Sequence, residues 1–164
     1  MQKWTCAIAT ILLAQMALAK GVAVRDAFAR PTVAGIQQGG AFMQLTNTDP
    51  TDHVLIGASV SKKVAAYTEL HTHINENGVM KMRQVKDGIV LPAGQTVALQ
   101  AGGYHIMFFD LKQPLTAGQS FNLKLKFKNG QSKNVKVQVK KMGDTHSHHH
   151  EHQHEPHGEH HHSH

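Results

Sequence analysis

The chain has 164 residues, a formal net charge of +6 and a pI near 9.6. That length suits one domain with a core of its own. The single cysteine, Cys6, rules out a disulfide framework, and because it lies in an apolar leader it leaves the mature chain without a thiol nucleophile, a thiol redox motif or the Cys ligand of a blue-copper site.

Residues 1–19 read as an export signal. Lys3 supplies the positive start, Trp4 to Leu18 is a largely apolar run, and Ala17-Leu18-Ala19 has the small-x-small form that signal peptidase cuts, so the mature chain is expected to begin at Lys20. The run falls short of the ~20 apolar residues of a spanning helix, so no stable membrane anchor is expected. Cys6 stands too early for a lipoprotein attachment site. The expected destination is the periplasm.

Residues 20–142 form the expected folded domain. Period-2 or β-rich segments run through it without a helical stripe. Strands are predicted over Val22–Ala29, Ala41–Thr46, Val54–Ser61, Tyr67–Ile74, Val79–Val85, Ile89–Leu91, Thr96–Gln100, Tyr104–Asp110, Phe121–Phe127 and Ser132–Val139. With turn signals every ~8–12 residues, this spacing predicts an all-β sandwich or barrel. Asn129-Gly130 is predicted to close a hairpin with positive φ at both central turn positions, and Val135, Val137 and Val139 continue the alternation beyond it. His53, after the turn from Thr48 to Asp52, reads as a solvated loop residue. Lys124, Lys126 and Lys128 alternate with Phe121, Leu123, Leu125 and Phe127. They read as the wet face of an amphipathic strand, and no nucleic-acid partner is expected.

The character changes after Met142. Residues 143–164 contain no aliphatic side chain and eleven histidines: His146, His148, His149, His150, His152, His154, His157, His160, His161, His162 and His164. Such a segment cannot offset its chain entropy by burial and is expected to be disordered without metal. Ser147, Glu151, Gln153, Glu155, Pro156, Gly158 and Glu159 interrupt the histidines irregularly, unlike a purification tag. Imidazoles without thioethers favour Cu(II), Zn(II) or Ni(II).

Within the domain, His71/His73, Met80/Met82 and His105/Met107 are three i, i+2 pairs. On strands, each pair projects from one face. Imidazole with thioether suits copper, and the thioether selects soft Cu(I). None of these ligands has to lose a proton from a high-pKa state, so loading near neutrality is expected. Methionine is more often a core filler than a ligand, so the weight rests on the constellation of strand ends converging on one ion.

At these residues the chain resembles the periplasmic copper chaperones called PCu(A)C. The likeness runs through Ala41-Phe42-Met43, Leu45-Thr46-Asn47, Glu69-Leu70-His71, Gly78-Val79-Met80-Lys81-Met82-Arg83, Leu91-Pro92-Ala93-Gly94 and Gly102-Gly103-Tyr104-His105-Ile106-Met107, in order. The resemblance implies a cupredoxin-like Greek-key β-sandwich or barrel holding Cu(I) through His71, Met82, His105 and Met107. It also implies delivery to the binuclear copper centre of cytochrome c oxidase, alongside a Sco-type thiol protein, with the His-rich extension as a Cu(II) site. Many relatives carry a methionine near the first His, where this chain has Thr72-His73. His73 is therefore an additional ligand, an alternate one, or simply a neighbour on the same face. Met80 is a substitute for Met82 or a core residue, and core packing is the expectation. Tyr104 and Phe108 are expected to face away from the metal, into the core.

Two other classes compete. A general periplasmic metal buffer would use the tail as its principal site and take copper, zinc or nickel. An enzyme would need a Cys ligand, a trinuclear His-x-His set, paired carboxylates or a Ser-His-Asp arrangement; His71-Thr72-His73 is the domain's single His-x-His, so catalysis is not expected.

Overall fold

A computed structural model describes residues 21–141; the expected export signal with Lys20, Met142 and the His-rich tail lie outside them. Ten strands follow in order: β1 Val22–Ala29, β2 Gln38–Asn47, β3 His53–Val60, β4 Ala65–Glu76, β5 Val79–Gln84, β6 Ile89–Leu91, β7 Thr96–Leu99, β8 His105–Leu111, β9 Ser120–Phe127 and β10 Ser132–Val139. Each predicted strand is present, with ends displaced by one to three residues at most. Among the described residues there is no helix, and none long and apolar enough to cross a membrane.

The strands form one mixed sheet in the order β5-β4-β8-β2-β1-β10-β9-β3-β6, with β7 added beside β2. The β1–β10 pair is parallel and the others are antiparallel. β2 is shared along its length: Gln38–Ala41 pair with β8, and Met43–Thr46 with β7. The sheet wraps one apolar core, in which Met43, Leu45, Leu55, Ile106, Phe108, Leu123, Leu125 and Val137 are fully buried. The alternation in β9 is as expected, with Leu123, Leu125 and Phe127 inside and Lys124 and Lys126 in water. Burying each large apolar side chain contributes roughly 1.5–3 kcal/mol, and that contribution fixes which face of each strand looks inward.

Three local expectations are corrected. The β9–β10 turn has positive φ only at Gly130 (86°), and a three-residue loop is closed by Gly130 N–H to Phe127 O (3.0 Å) and Phe127 N–H to Gln131 O (2.9 Å). That is a type I turn followed by a left-handed bulge residue. Both central residues are left-handed instead at Asn77 (54°) and Gly78 (82°), which join β4 to β5. His53 is buried rather than solvated. It begins β3, sits 2.6 Å from Asp49 Oδ2 through Nε2, and accepts at Nδ1 from Asn129 Nδ2 (3.3 Å). Phe108 does enter the core, but Tyr104 precedes β8 and is 37% exposed.

Candidate metal centre

The register of β5, β4 and β8 puts all six candidate side chains on one face. β4 lies between the other two strands. Against β8 it pairs His71 with His105 and Glu69 with Met107; against β5 it pairs His73 with Met82 and Asn75 with Met80. Directly opposed residues point the same way. Leu70 and Ile106, one residue out of phase, are buried in the core. The His/Met face is therefore the outer face of this part of the sheet.

His105 is the centre of the group. Its Nδ1 lies 3.0 Å from the carbonyl of Gly103, and its Nε2 lies 3.2 Å from Met82 Sδ. A carbonyl can only accept, so Nδ1 carries the proton, and in the neutral ring Nε2 presents a lone pair to the thioether. The ring is 5.3 Å from that of His73, 6.0 Å from that of His71 and 6.2 Å from that of Phe42. His71 donates from Nε2 to Glu69 Oε2 at 2.7 Å, which leaves Nδ1 as the lone pair. The Nδ1 atoms of both His71 and His73 are buried without a hydrogen-bond partner. Buried polar atoms are nearly always satisfied; two orphan imidazole nitrogens beside one lone-pair nitrogen mark a place suited to a cation.

His71 and His105 are 9% and 5% exposed, whereas Met82, on the edge strand, is 39% exposed. Met107 opposes Glu69 and Gly40. It lines an open cavity of about 440 Å³ with His73, His105, Gly40, Phe42, Gly102 and Arg30. The Arg30 guanidinium lies 5.1 Å over the Phe42 ring. Met80 is not in the core. It projects 56% exposed beside Asn75, two register pairs farther out along the hairpin than Met82, because β5 has β4 alone as a neighbour and every residue of it is exposed. Among the described residues, no group of three or more His, Cys, Asp or Glu side chains is arranged to hold a metal ion. With the side chains in these positions, an ion on this face needs sulfur as well as nitrogen.

Sequence reasoning missed the supports. Glu69 is the i−2 neighbour of His71 and so shares its strand face, a signal available in the sequence; the Gly103 carbonyl and the Phe42 and Arg30 wall come from pairing between distant segments. Hydrogen bonds donated by the rings to Glu69 and Gly103 fix which nitrogen of each ring is offered, the usual work of groups behind a metal ligand.

Burial holds the His105 pKa below its ordinary value, against the opposing Gly103 hydrogen bond, and His73, His71 and Arg30 push it the same way as burial does. The folded state thus binds this proton less tightly than the unfolded chain. The stability of the metal-free protein is then fullest above the unfolded value of ~6.5, and falls as pH drops from there toward the depressed folded pKa. Urea unfolding of metal-free protein at pH 7.5 and 5.5 should show a larger acid loss in the parent than in His105→Gln. Equal losses would refute a role for His105.

The family model described as LpqE-like matches residues 22–139. Lxx21020 of Leifsonia xyli subsp. xyli, named as a candidate lipoprotein, is 38% identical over 109 residues, which is 66% of this chain and 63% of that protein. RP573 of Rickettsia prowazekii, named as uncharacterized, is 31% identical over 103 residues, 61% of this chain and 56% of that protein. The chain thus spans less than two thirds of the length of these relatives. Among solved structures, Cu(I)-bound DR1885 from Deinococcus radiodurans is similar with a TM-score of 0.60 and 33% identity, covering 79% of this chain and 86% of that one. The copper-bound PCuAC domain from PmoF2 also has a TM-score of 0.60, at 19% identity over 74% of this chain and 95% of that domain. The second likeness carries the cupredoxin-like fold alone.

Proposed function

We propose, from the premise that this chain belongs to the LpqE-like family of PCuAC-type proteins, that it is a periplasmic copper chaperone and not an enzyme. Its cargo is Cu(I), held by His71, Met82, His105 and Met107. The observation that supports this most is the 3.2 Å approach of His105 Nε2 to Met82 Sδ, with the other ring nitrogen already committed to Gly103. Two lone-pair atoms facing each other without a proton between them are poor neighbours until a cation joins them. With nitrogen and sulfur bonds of ~2.0 and ~2.3 Å, as at a tetrahedral zinc, the two atoms would stand about 3.5 Å apart. A shift of a few tenths of an ångström admits an ion.

The thioethers are neutral, soft and weakly held, which suits a Cu(I) ion that must leave again. The recipient in this reading is the binuclear copper centre of cytochrome c oxidase, reached together with a Sco-type protein, as the family likeness implies. The histidines of residues 143–164 capture Cu(II), with Zn(II) and Ni(II) as competitors. DR1885, named for its bound Cu(I), is the relative of known structure that favours this oxidation state.

Cu(I) titration against a competing chelator tests the assignment. The chain to use is full length with the eleven tail histidines replaced by asparagine, which silences the tail without removing it. One tight equivalent is expected, weakened ~10–100-fold by Met107→Ala, the range seen when even an outer partner of a metal site is lost. Loss of tight binding on silencing the tail alone would instead favour a metal buffer with the tail as its principal site.

A further inference from the structure

His73 shares its sheet face with His71, Met82 and His105. It is the cross-strand partner of Met82, and its ring stacks on that of His105 at 5.3 Å and 29°. Its Nδ1 is buried without a partner. Alone among the three domain imidazoles on this face, it has neither a carboxylate nor a carbonyl fixing its tautomer: His71 is committed to Glu69 and His105 to Gly103. It also lines the open cavity with His105 and Met107, so the ring has room to turn.

Resting on the copper reading above, we propose that His73 is a third imidazole ligand, which lets this same face hold Cu(II) as well as Cu(I). The two oxidation states ask for different donors. Soft thioethers serve Cu(I), whereas Cu(II) prefers nitrogen in a tetragonal arrangement. As they stand, His71, His73 and His105 are not grouped to hold an ion; a turn of the His73 ring would bring three nitrogens together, and Met82, the neighbour of both His73 and His105, joins them. For Cu(I), two imidazoles and the thioethers of Met82 and Met107 suffice, and His73 stands aside in the cavity. For Cu(II), His73 turns in and the sulfurs recede to weak ligands. A methionine at position 73 would not do this, so Thr72-His73 would set the oxidation-state range of the folded domain independently of the tail.

The test uses the full-length, tail-silenced chain with Cu(I) and Cu(II) as separate probes. His73→Ala should lower Cu(II) affinity at least ~10-fold and leave Cu(I) affinity within about threefold. The nitrogen superhyperfine pattern in the Cu(II) electron paramagnetic resonance spectrum should fall from three nitrogens to two. His73→Gln, which keeps bulk and polarity, should behave like His73→Ala; it covers the case in which alanine perturbs the hairpin. Unchanged Cu(II) affinity and nitrogen count in either folded variant would overturn the proposal, as would equal loss of both ions. If the tail-silenced parent binds neither ion, the copper reading itself fails and this proposal goes with it. If it binds Cu(I) tightly while Cu(II) is indifferent to position 73, only the proposal fails.

Discussion

In the tail-silenced chain, His105→Ala is expected to weaken Cu(I) binding by roughly a thousandfold, about 4 kcal/mol. The loss should exceed that of Met107→Ala because His105 does two things at once. It offers Nε2 toward Met82 Sδ, and its Nδ1 bond to Gly103 holds that nitrogen in place. Its ring also lies against His73, His71 and Phe42, so alanine removes a donor and leaves the others without the surface that positions them. Met107 is one neutral thioether at the margin of the cavity. His105→Gln separates ligation from positioning, since a glutamine amide still has a donor for the Gly103 carbonyl but no imidazole. Chelator competition should find glutamine almost as damaging as alanine. Affinity within about threefold of the parent in either folded variant would remove His105 from the ligand set.

The same arrangement suggests how an ion so held could leave. β5 ends the sheet, and its free edge carries Met82 and Met80 toward solvent. The imidazoles of His71 and His105 lie on inner strands, nearly buried. An incoming donor can therefore compete with the sulfur side first, while nitrogen still holds the ion from the other side. Stepwise exchange of this kind avoids a bare ion, and it needs a weak outer ligand and a stronger inner one. Glu76 braces this edge hairpin. Its carboxylate bonds Lys81 and Arg83 across the hairpin, Lys81 first in effect, and those bonds hold its pKa below the usual carboxylate range.

Strand positions and shared faces were legible in the sequence because alternation is a local property. Val135, Val137 and Val139 announce one buried face without reference to anything else in the chain, and His105 with Met107 announces an outward pair in the same way. Register was not legible. That His71 faces His105 and His73 faces Met82 depends on which strands pair, a choice made by the whole core. Met80 shows the limit of composition: methionine favours cores, but on an edge strand beyond the last covering layer there is no core to fill. His53 shows the reverse. Nothing near it in sequence reveals Asn129, which meets it from a hairpin seventy-six residues away. Asn129-Gly130 makes the predicted turn but of another type, because Asn-Gly also suits a type I turn whose third loop residue is left-handed.

Asn47 is the residue whose loss should cost the fold most for its size. It is fully buried at the end of β2. Its Nδ2 donates to the carbonyls of Thr51 and Leu91, both at 2.8 Å, and its Oδ1 accepts from Asp49 N–H at 2.9 Å. One side chain thus joins the end of β2, the following turn and the end of β6, and through Asp49 it connects to His53. Asn47→Ala leaves the buried Leu91 carbonyl without its donor and takes the partners of the part-buried Thr51 carbonyl and Asp49 N–H as well; a fully buried group costs about 1–3 kcal/mol when left unpaired, and a part-buried one less. The expected loss is about 2–4 kcal/mol, a large part of the ~5–15 kcal/mol that holds a domain of this size. Melting should occur roughly 10 °C lower or more, measured by calorimetry on metal-free protein. Asn47→Asp should fare no better, since a carboxylate cannot donate to either carbonyl. None of Asn47's partners is a candidate ligand, so at a temperature where the variant is still folded its Cu(I) affinity should match the parent's. A folded Asn47→Ala with parental stability would disprove the brace, and one with lost copper affinity would show that the far end of the sandwich sets the geometry of the metal face.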